Sequence, residues 1–200
     1  ISHIGMIAEQ MPHLCTSLSD SLKRAFTDSF WRIRQQLIRA IPMLIKHMGL
    51  EYFTGHFQAE YLALFSDAVS EVRLEAGQCL GEIVKYAGGD YVHDVVFRTV
   101  KELANGELML RMALVSALVS TLMAPDLPDR LAVDALAMLL AAGKDDVPNV
   151  RIRVAQALGE VVTYVPGSGR PKIRALLGEL QADKDKDVQF CAAESVKRCT

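Results

Sequence analysis

Glu71–Tyr86 reads EVRLEAGQCLGEIVKY and Asn149–Tyr164 reads NVRIRVAQALGEVVTY, with eight of sixteen positions identical. Self-similarity at a fixed interval restricts a chain to architectures in which one unit packs on copies of itself. The interval is half the displacement between these two phrases, because another copy lies between them. An apolar-Arg pair inside the phrase recurs as Ile33-Arg34, Val72-Arg73, Leu110-Arg111 and Val150-Arg151, then as Val188-Gln189, at a nearly constant step.

Counted from the apolar anchor, position +4 is Leu37, Ala76, Leu114, Val154 or Ala192, and position +8 is Ile41, Leu80, Leu118, Leu158 or Val196. Apolar residues at 0, +4 and +8 share one face of a helix, so every copy predicts an amphipathic helix, here named helix B. Position +7 is small in every copy: Ala40, Cys79, Ala117, Ala157 and Ser195. A column of small side chains is what neighbouring parallel helices need for close backbone approach. Five residues before the anchor stands Asp28, Asp67, Asn105, Asp145 or Asp183, in the turn where an acid accepts free backbone N–H groups and complements the positive helix end.

A second amphipathic segment, helix A, precedes each turn at 13–26, 52–65, 91–103, 129–142 and 171–180. Gly49, Gly88-Gly89, Pro125 with Pro128, and Pro166-Gly167 punctuate the units. The expected architecture is an all-α superhelix, a HEAT-type solenoid of about five stacked helical hairpins. The expected units run over 13–49, 50–89, 90–125, 126–167 and 168–200, after the end of a truncated unit at 1–12. Ile4-Gly5-Met6-Ile7 parallels Leu80-Gly81-Glu82-Ile83, which places residue 1 inside a helix B and marks the chain as part of a longer solenoid.

Composition narrows the function classes. Basic and acidic side chains number 22 and 24, for a formal charge of −2, which offers neither a basic field for nucleic acid nor a polybasic membrane signal. The uncharged run 112–125 is too short to span a bilayer. The start ISHIGMIAEQMP lacks a basic segment and carries Glu9, unlike a secretory signal. Cys15, Cys79, Cys191 and Cys199 have neither C-x-x-C nor Cys/His spacing for zinc, and their scatter suits a reducing compartment, the cytoplasm with the nucleus also open.

No residue pattern supports catalysis. His3, His13, His47, His56 and His93 are not followed by Glu, as they would be in metal-dependent hydroxylases of this architecture, and HExxH, GxSxG, Walker and GxGxxG patterns are absent. Neither a metal nor a cofactor is expected, and the reading is of a non-enzyme. Cys79 reads as a core filler. The column Arg34, Arg73, Arg111 and Arg151, set against Asp28, Asp67, Asp145 and Asp183, reads as a ladder of ion pairs between units rather than as a binding site. Arg151, Arg153, Arg170, Lys172 and Arg174 read as a solvated basic face. Trp31, two before the anchor, corresponds to Ser70, Leu108, Pro148 and Lys186. A position that accepts Ser, Pro and Lys is a surface position, so Trp31 beside Arg32 is expected to be exposed, with the composition of a protein-binding hot spot.

The stretch DSFWRIRQQLIRAIPMLIKHMGLEYF (28–53) resembles the segment of the type 2A protein phosphatase scaffold (A, or constant regulatory) subunit that combines a D-x-x-W-R-V-R turn, a P-x-L helix and a G-x-E-F-F start of the next unit. DVPNVRIRVAQAL (146–158) and DKDVQFCAAESV (185–196) are similar to that family's last two repeats in order and spacing. The likeness runs through the chain and corresponds to the C-terminal third of the family's solenoid. It implies a scaffold whose A–B turns form a ridge that grips a phosphatase catalytic subunit, while repeats outside this segment recruit exchangeable regulatory subunits. By position the ridge is Trp31 and Arg32, Ser70 and Glu71, Leu108 and Met109, Pro148 and Asn149, and Lys186 and Asp187. Ser70 departs from an aromatic common in the family, and Asn105 from its Asp. The alternative readings are a regulatory subunit of a related (type 4) phosphatase and another HEAT adaptor such as a transport-receptor-like protein; the acidic inner loops of the last are missing.

Overall fold

The seam of small residues decides how the chain stacks. In the computed structural model, which describes residues 4–199 and the side chains from residue 6 on except Pro12, helix follows helix with no strand among the described residues. The expected start of the first helix at residues 1–3 lies outside the described residues. The helices are α1 (Ile4–Gln10), α2 (Pro12–Ala25), α3 (Trp31–Met48), α4 (Leu50–His56), α5 (Gln58–Ala63), α6 (Ser70–Gln78), α7 (Leu80–Ala87), α8 (Gly89–Tyr91), α9 (Phe97–Glu102), α10 (Leu108–Leu122), α11 (Asp129–Ala142), α12 (Pro148–Val161), α13 (Arg170–Leu180) and α14 (Lys186–Val196).

They pair as antiparallel hairpins: α2 with α3, α4–α5 with α6–α7, α8–α9 with α10, α11 with α12, and α13 with α14. One layer holds α1, α3, α6–α7, α10, α12 and α14, each leaning on the next. The chain is an all-α superhelical solenoid of about five stacked helical hairpins, the architecture its periodicity predicts. Its core is a continuous strip of buried apolar side chains drawn from successive units, among them Leu37, Ala76, Leu114, Val154 and Ala192 at position +4. Of the +8 residues, Ile41, Leu80, Leu118 and Leu158 are buried and Val196 is half-buried.

The seam is close enough that small side chains are required. A Cβ on Gly77 would stand 3.0 Å from the Ala117 backbone nitrogen, and one on Gly159 would stand 2.8 Å from Ser195 Cβ. Between units one and two the seam has a chemical clasp. Pro42 lies inside α3 and lacks the N–H that would bond the Ile38 carbonyl; the Cys79 thiol lies 3.6 Å from that oxygen and donates to it. Gly49 and Gly88 end their B helices at φ 89°, where a Cβ is strained by the backbone alone.

Three helices expected to be continuous are not. The second A segment breaks at Phe57 (φ −132°) between α4 and α5. The third passes through a π-turn at Val92–Val96. The second B segment breaks at Cys79, because Ser120 of the neighbouring α10 inserts there: its hydroxyl donates to the Gln78 carbonyl (2.6 Å) and accepts from the Gly81 N–H (3.0 Å). A side chain that takes over two backbone bonds is a sufficient cause for such a break. None of these breaks has a local sequence cause comparable to proline.

Candidate protein-binding ridge

Each B helix begins two residues before its anchor, so the five residue pairs assigned to the ridge are the first two residues of α3, α6, α10, α12 and α14. Each helix is entered through an extended residue: Phe30, Val69, Glu107, Val147 or Asp185. Asp28, Asp67, Asp145 and Asp183 do not cap the helices themselves. Each accepts, through Oδ1, the N–H two residues on at 2.8–2.9 Å, which folds the turn that delivers the chain to the helix. From α2 on, only α14 has a side-chain cap, from Asp185 to Asp187 N and Val188 N.

The arginines then tie turn to turn. Arg34 Nη1 donates to the Asp28 carbonyl of its own unit, while its Nε and Nη2 bind Asp67 Oδ2 and Oδ1 of the next, each at 2.7 Å. Arg151 repeats the pattern with the Asp145 carbonyl and with Asp183 at 2.7 and 2.8 Å. Arg111 Nε lies 3.3 Å from Asp145 Oδ2, an ionic contact without hydrogen-bond geometry. Arg73 donates to the Asp67 carbonyl but has no carboxylate opposite, since Asn105 stands at that position. Hydrogen bonding from Arg151 holds the Asp183 carboxyl below its usual range, and the same bond raises the guanidinium. The expected basic face is divided: Arg151 is buried in this pair, Arg153 pairs with Glu160 at 2.9 Å, and Arg174 donates to the Cys199 carbonyl at 2.6 Å.

Ser70, Leu108, Met109 and Asn149 of the assigned residues come together. With Leu74, Gln78, Met112, Ser116 and Arg153 they line a groove of about 370 Å³ across α6, α10 and α12. Trp31, Arg32, Glu71, Pro148, Lys186 and Asp187 lie outside it. Trp31 differs from the expectation of an exposed ring: it is half-buried and packs on the core, with the Arg32 guanidinium 4.5 Å from its ring centroid. A large ring at a helix start folds back onto the layer because the burial of its apolar area outweighs the loss of hydration. The exposed aromatic of this tip is instead Phe30, 72% exposed, and α14 presents Phe190, 66% exposed. Position −3 is elsewhere Val, Glu, Val and Asp, so the exposure of Phe30 was legible, whereas +2 is Gln, Leu, Met and Ile, a mostly apolar column that gave no sign of an exposed Phe190.

Burial holds three of the four thiols protonated. All four cysteines are free, and burial pushes Cys79 up to about 12 and raises Cys15 and Cys199. Thiols held protonated at neutral pH are poor nucleophiles. Among the described residues no group of three or more His, Cys, Asp or Glu is placed to hold a metal. No described helix is long and apolar enough to cross a membrane.

No protein-family model matches the chain, and no curated protein sequence matches it. Solved structures do. Cex1p is similar at 14% identity with a TM-score of 0.69 over 92% of this chain, which spans 35% of the Cex1p chain. An engineered protein matches at 18% identity and a TM-score of 0.52, over 98% of this chain and 89% of its own. A designed armadillo repeat protein in complex with the peptide (KR)4 matches at 16% identity and a TM-score of 0.51, over 98% and 90%. At such identities the likeness concerns the fold alone. The chain has the fold of a helical-repeat solenoid, in which the starts of α6, α10 and α12 converge on an apolar groove.

Proposed function

We propose that this chain is a non-catalytic scaffold segment that binds a serine/threonine protein phosphatase catalytic subunit through its A–B turn ridge and helps assemble the holoenzyme. In this reading the units run over 13–49, 50–89, 90–125, 126–167 and 168–200, and exchangeable regulatory subunits attach to repeats outside the segment. The observation that carries the reading is the groove, because four of the ten ridge residues line one apolar concavity with Met109 49% exposed at its edge. An exposed methionine beside half-buried Leu108 and Met112 offers an adaptable apolar contact of the kind that protein interfaces use. The designed relative's (KR)4 ligand suggests a basic peptide as an alternative occupant, but the groove lining holds Arg153 and no carboxylate.

The test is direct titration of the chain with a phosphatase catalytic subunit by calorimetry. Met109→Asp places a charge in the groove without removing a core contact. It is expected to weaken binding by roughly tenfold or more, about 1.4 kcal/mol, with the melting temperature unchanged. Equal affinity for wild type and variant overturns the ridge assignment. Trp31→Ala is expected to reduce both affinity and stability, because the ring also packs on the core.

A further inference from the structure

Four junctions join the units along the B layer, and three close on the same arrangement. At each of the three, an arginine one place after the anchor reaches a carboxylate in the next turn: Arg34 to Asp67 at 2.7 Å, Arg111 to Asp145 at 3.3 Å, and Arg151 to Asp183 at 2.7 Å. In two of them, the first and the last, one carboxylate accepts both Nε and Nη2. That carboxylate also accepts the turn's own backbone N–H, at Val69 and Asp185, and the third carboxylate, Asp145, does so at Val147.

The second junction keeps the donors without the acceptor. Arg73 is 8% exposed and is oriented as Arg34 and Arg151 are, with Nη1 on the carbonyl of its own unit's aspartate. Its other edge, Nε and Nη2, is thereby turned toward the next tip. Nε is buried and has no hydrogen-bond partner. Asn105 does not supply one: the turn is wound one residue further than at Asp67, with the 3₁₀ segment at Leu103–Asn105 rather than ending before the polar residue, and Asn105 is exposed. Glu71 and Glu75, equally near in sequence, are engaged elsewhere, the first by Ser70 at 3.0 Å and the second by Gln35 and Arg39 at 2.9 and 2.6 Å. The tip opens the fifteen-residue helix α10, whose N-cap Glu107 makes no side-chain cap bond. Arg73 acts on the exposed Glu71 only through space, and a buried Nε–H left without an acceptor at the positive end of a helix is costly unless an anion meets it.

We propose that this junction is a carboxylate-binding site, at which an aspartate or glutamate side chain of a protein partner takes the place that Asp67, Asp145 and Asp183 fill elsewhere in the same chain. The site lies in the turn three residues before Leu108, a residue that lines the apolar groove. The inference rests on the chain being a protein-binding scaffold and adds the chemistry of one contact. The phosphatase reading is not needed for it.

The arginine Nε–H resonances of the whole chain report the site without any partner protein. Titration with acetyl-Gly-Asp-Gly-amide is expected to move the Arg73 Nε–H signal saturably while those of Arg34 and Arg151, already paired, stay still. Acetyl-Gly-Asn-Gly-amide is expected to move none. Asn105→Asp supplies the missing carboxylate from within. It is expected to place the Arg73 signal with those of Arg34 and Arg151 and to weaken the response to the peptide by roughly tenfold or more, the worth of one charge-assisted hydrogen bond. A response that Asn105→Asp leaves unchanged overturns the proposal, as does equal movement with both peptides or at all three arginines. Tighter binding of inorganic phosphate than of the Asp peptide would assign the site to a free oxyanion and overturn the acidic side chain. Because these signals do not depend on a phosphatase, their failure and the failure of the calorimetric titration are separate results.

Discussion

Gly81 shows how single atoms set the distance between units. A Cβ there would stand 2.7 Å from the Ser120 backbone oxygen, an atom that cannot swing aside. Replacement by alanine gains up to about 1 kcal/mol of helix propensity and costs about 1–3 kcal/mol of overpacking, and the rigid carbonyl puts the cost at the upper end. Gly81→Ala is therefore expected to lower stability by about 1–2 kcal/mol in urea unfolding; a gain in stability would show that the two helices slide apart freely. The same reasoning separates the ridge residues. Met109 is exposed and its loss should be felt by a partner, whereas Trp31 is held by the layer and by Arg32, so its loss should be felt by the fold as well.

Between elements, what matters is how charge is shared across a junction. The Arg151–Asp183 pair joins α12 to the turn before α14, with side chains only 7% and 11% exposed, so solvent screens it less than it would a surface pair. The Asp183 carboxyl sits below its usual range in the folded state. A lowered carboxyl contributes stability that is present above the unfolded value and is lost as pH falls through the folded value. Asp183→Asn should thus cost about 1–3 kcal/mol at neutral pH. The difference from wild type should shrink in urea unfolding as pH is taken from about 5 toward 2, where the wild-type carboxyl is itself neutral. A penalty that stays constant with pH would mean that the pair contributes shape and not charge. On the opposite layer His93 stands between Asp94 (2.8 Å) and Asp134 (3.0 Å), and its bonds hold both carboxyls low while tying the π-turn to α11.

For the whole molecule the consequence of stacking is that each unit answers chiefly to its neighbours. Leu177 is fully buried in α13, where truncation to alanine costs about 2–5 kcal/mol. If stability is a sum of unit and junction contributions, Leu177→Ala should reduce hydrogen-exchange protection in α11–α14 and leave α3–α7 near wild type. Uniform loss of protection along the chain would instead make the solenoid a single cooperative block. The junctions also differ in kind: three hold ion pairs at Arg34, Arg111 and Arg151, the first of them also clasped through Pro42, Ile38 and Cys79, and one is left at Arg73 without a carboxylate.

Periodicity by itself determined the hairpins, their order and the small-residue seam, because a spacing of 0, +4 and +8 is satisfied by one helical face and a constant step by one stacking direction. It also identified which acids and arginines belong to the turns. Only the tertiary structure decided what each one meets. The break at Cys79 arises from the neighbouring Ser120, and the half-burial of Trp31 arises from the layer beneath it. The isolation of Arg73 depends on the winding of the Leu103–Asn105 turn, which belongs to the following unit. The physical reason is common to all of them: local spacing records which face a residue occupies, while pairing and burial are settled by the atoms another unit brings to that face.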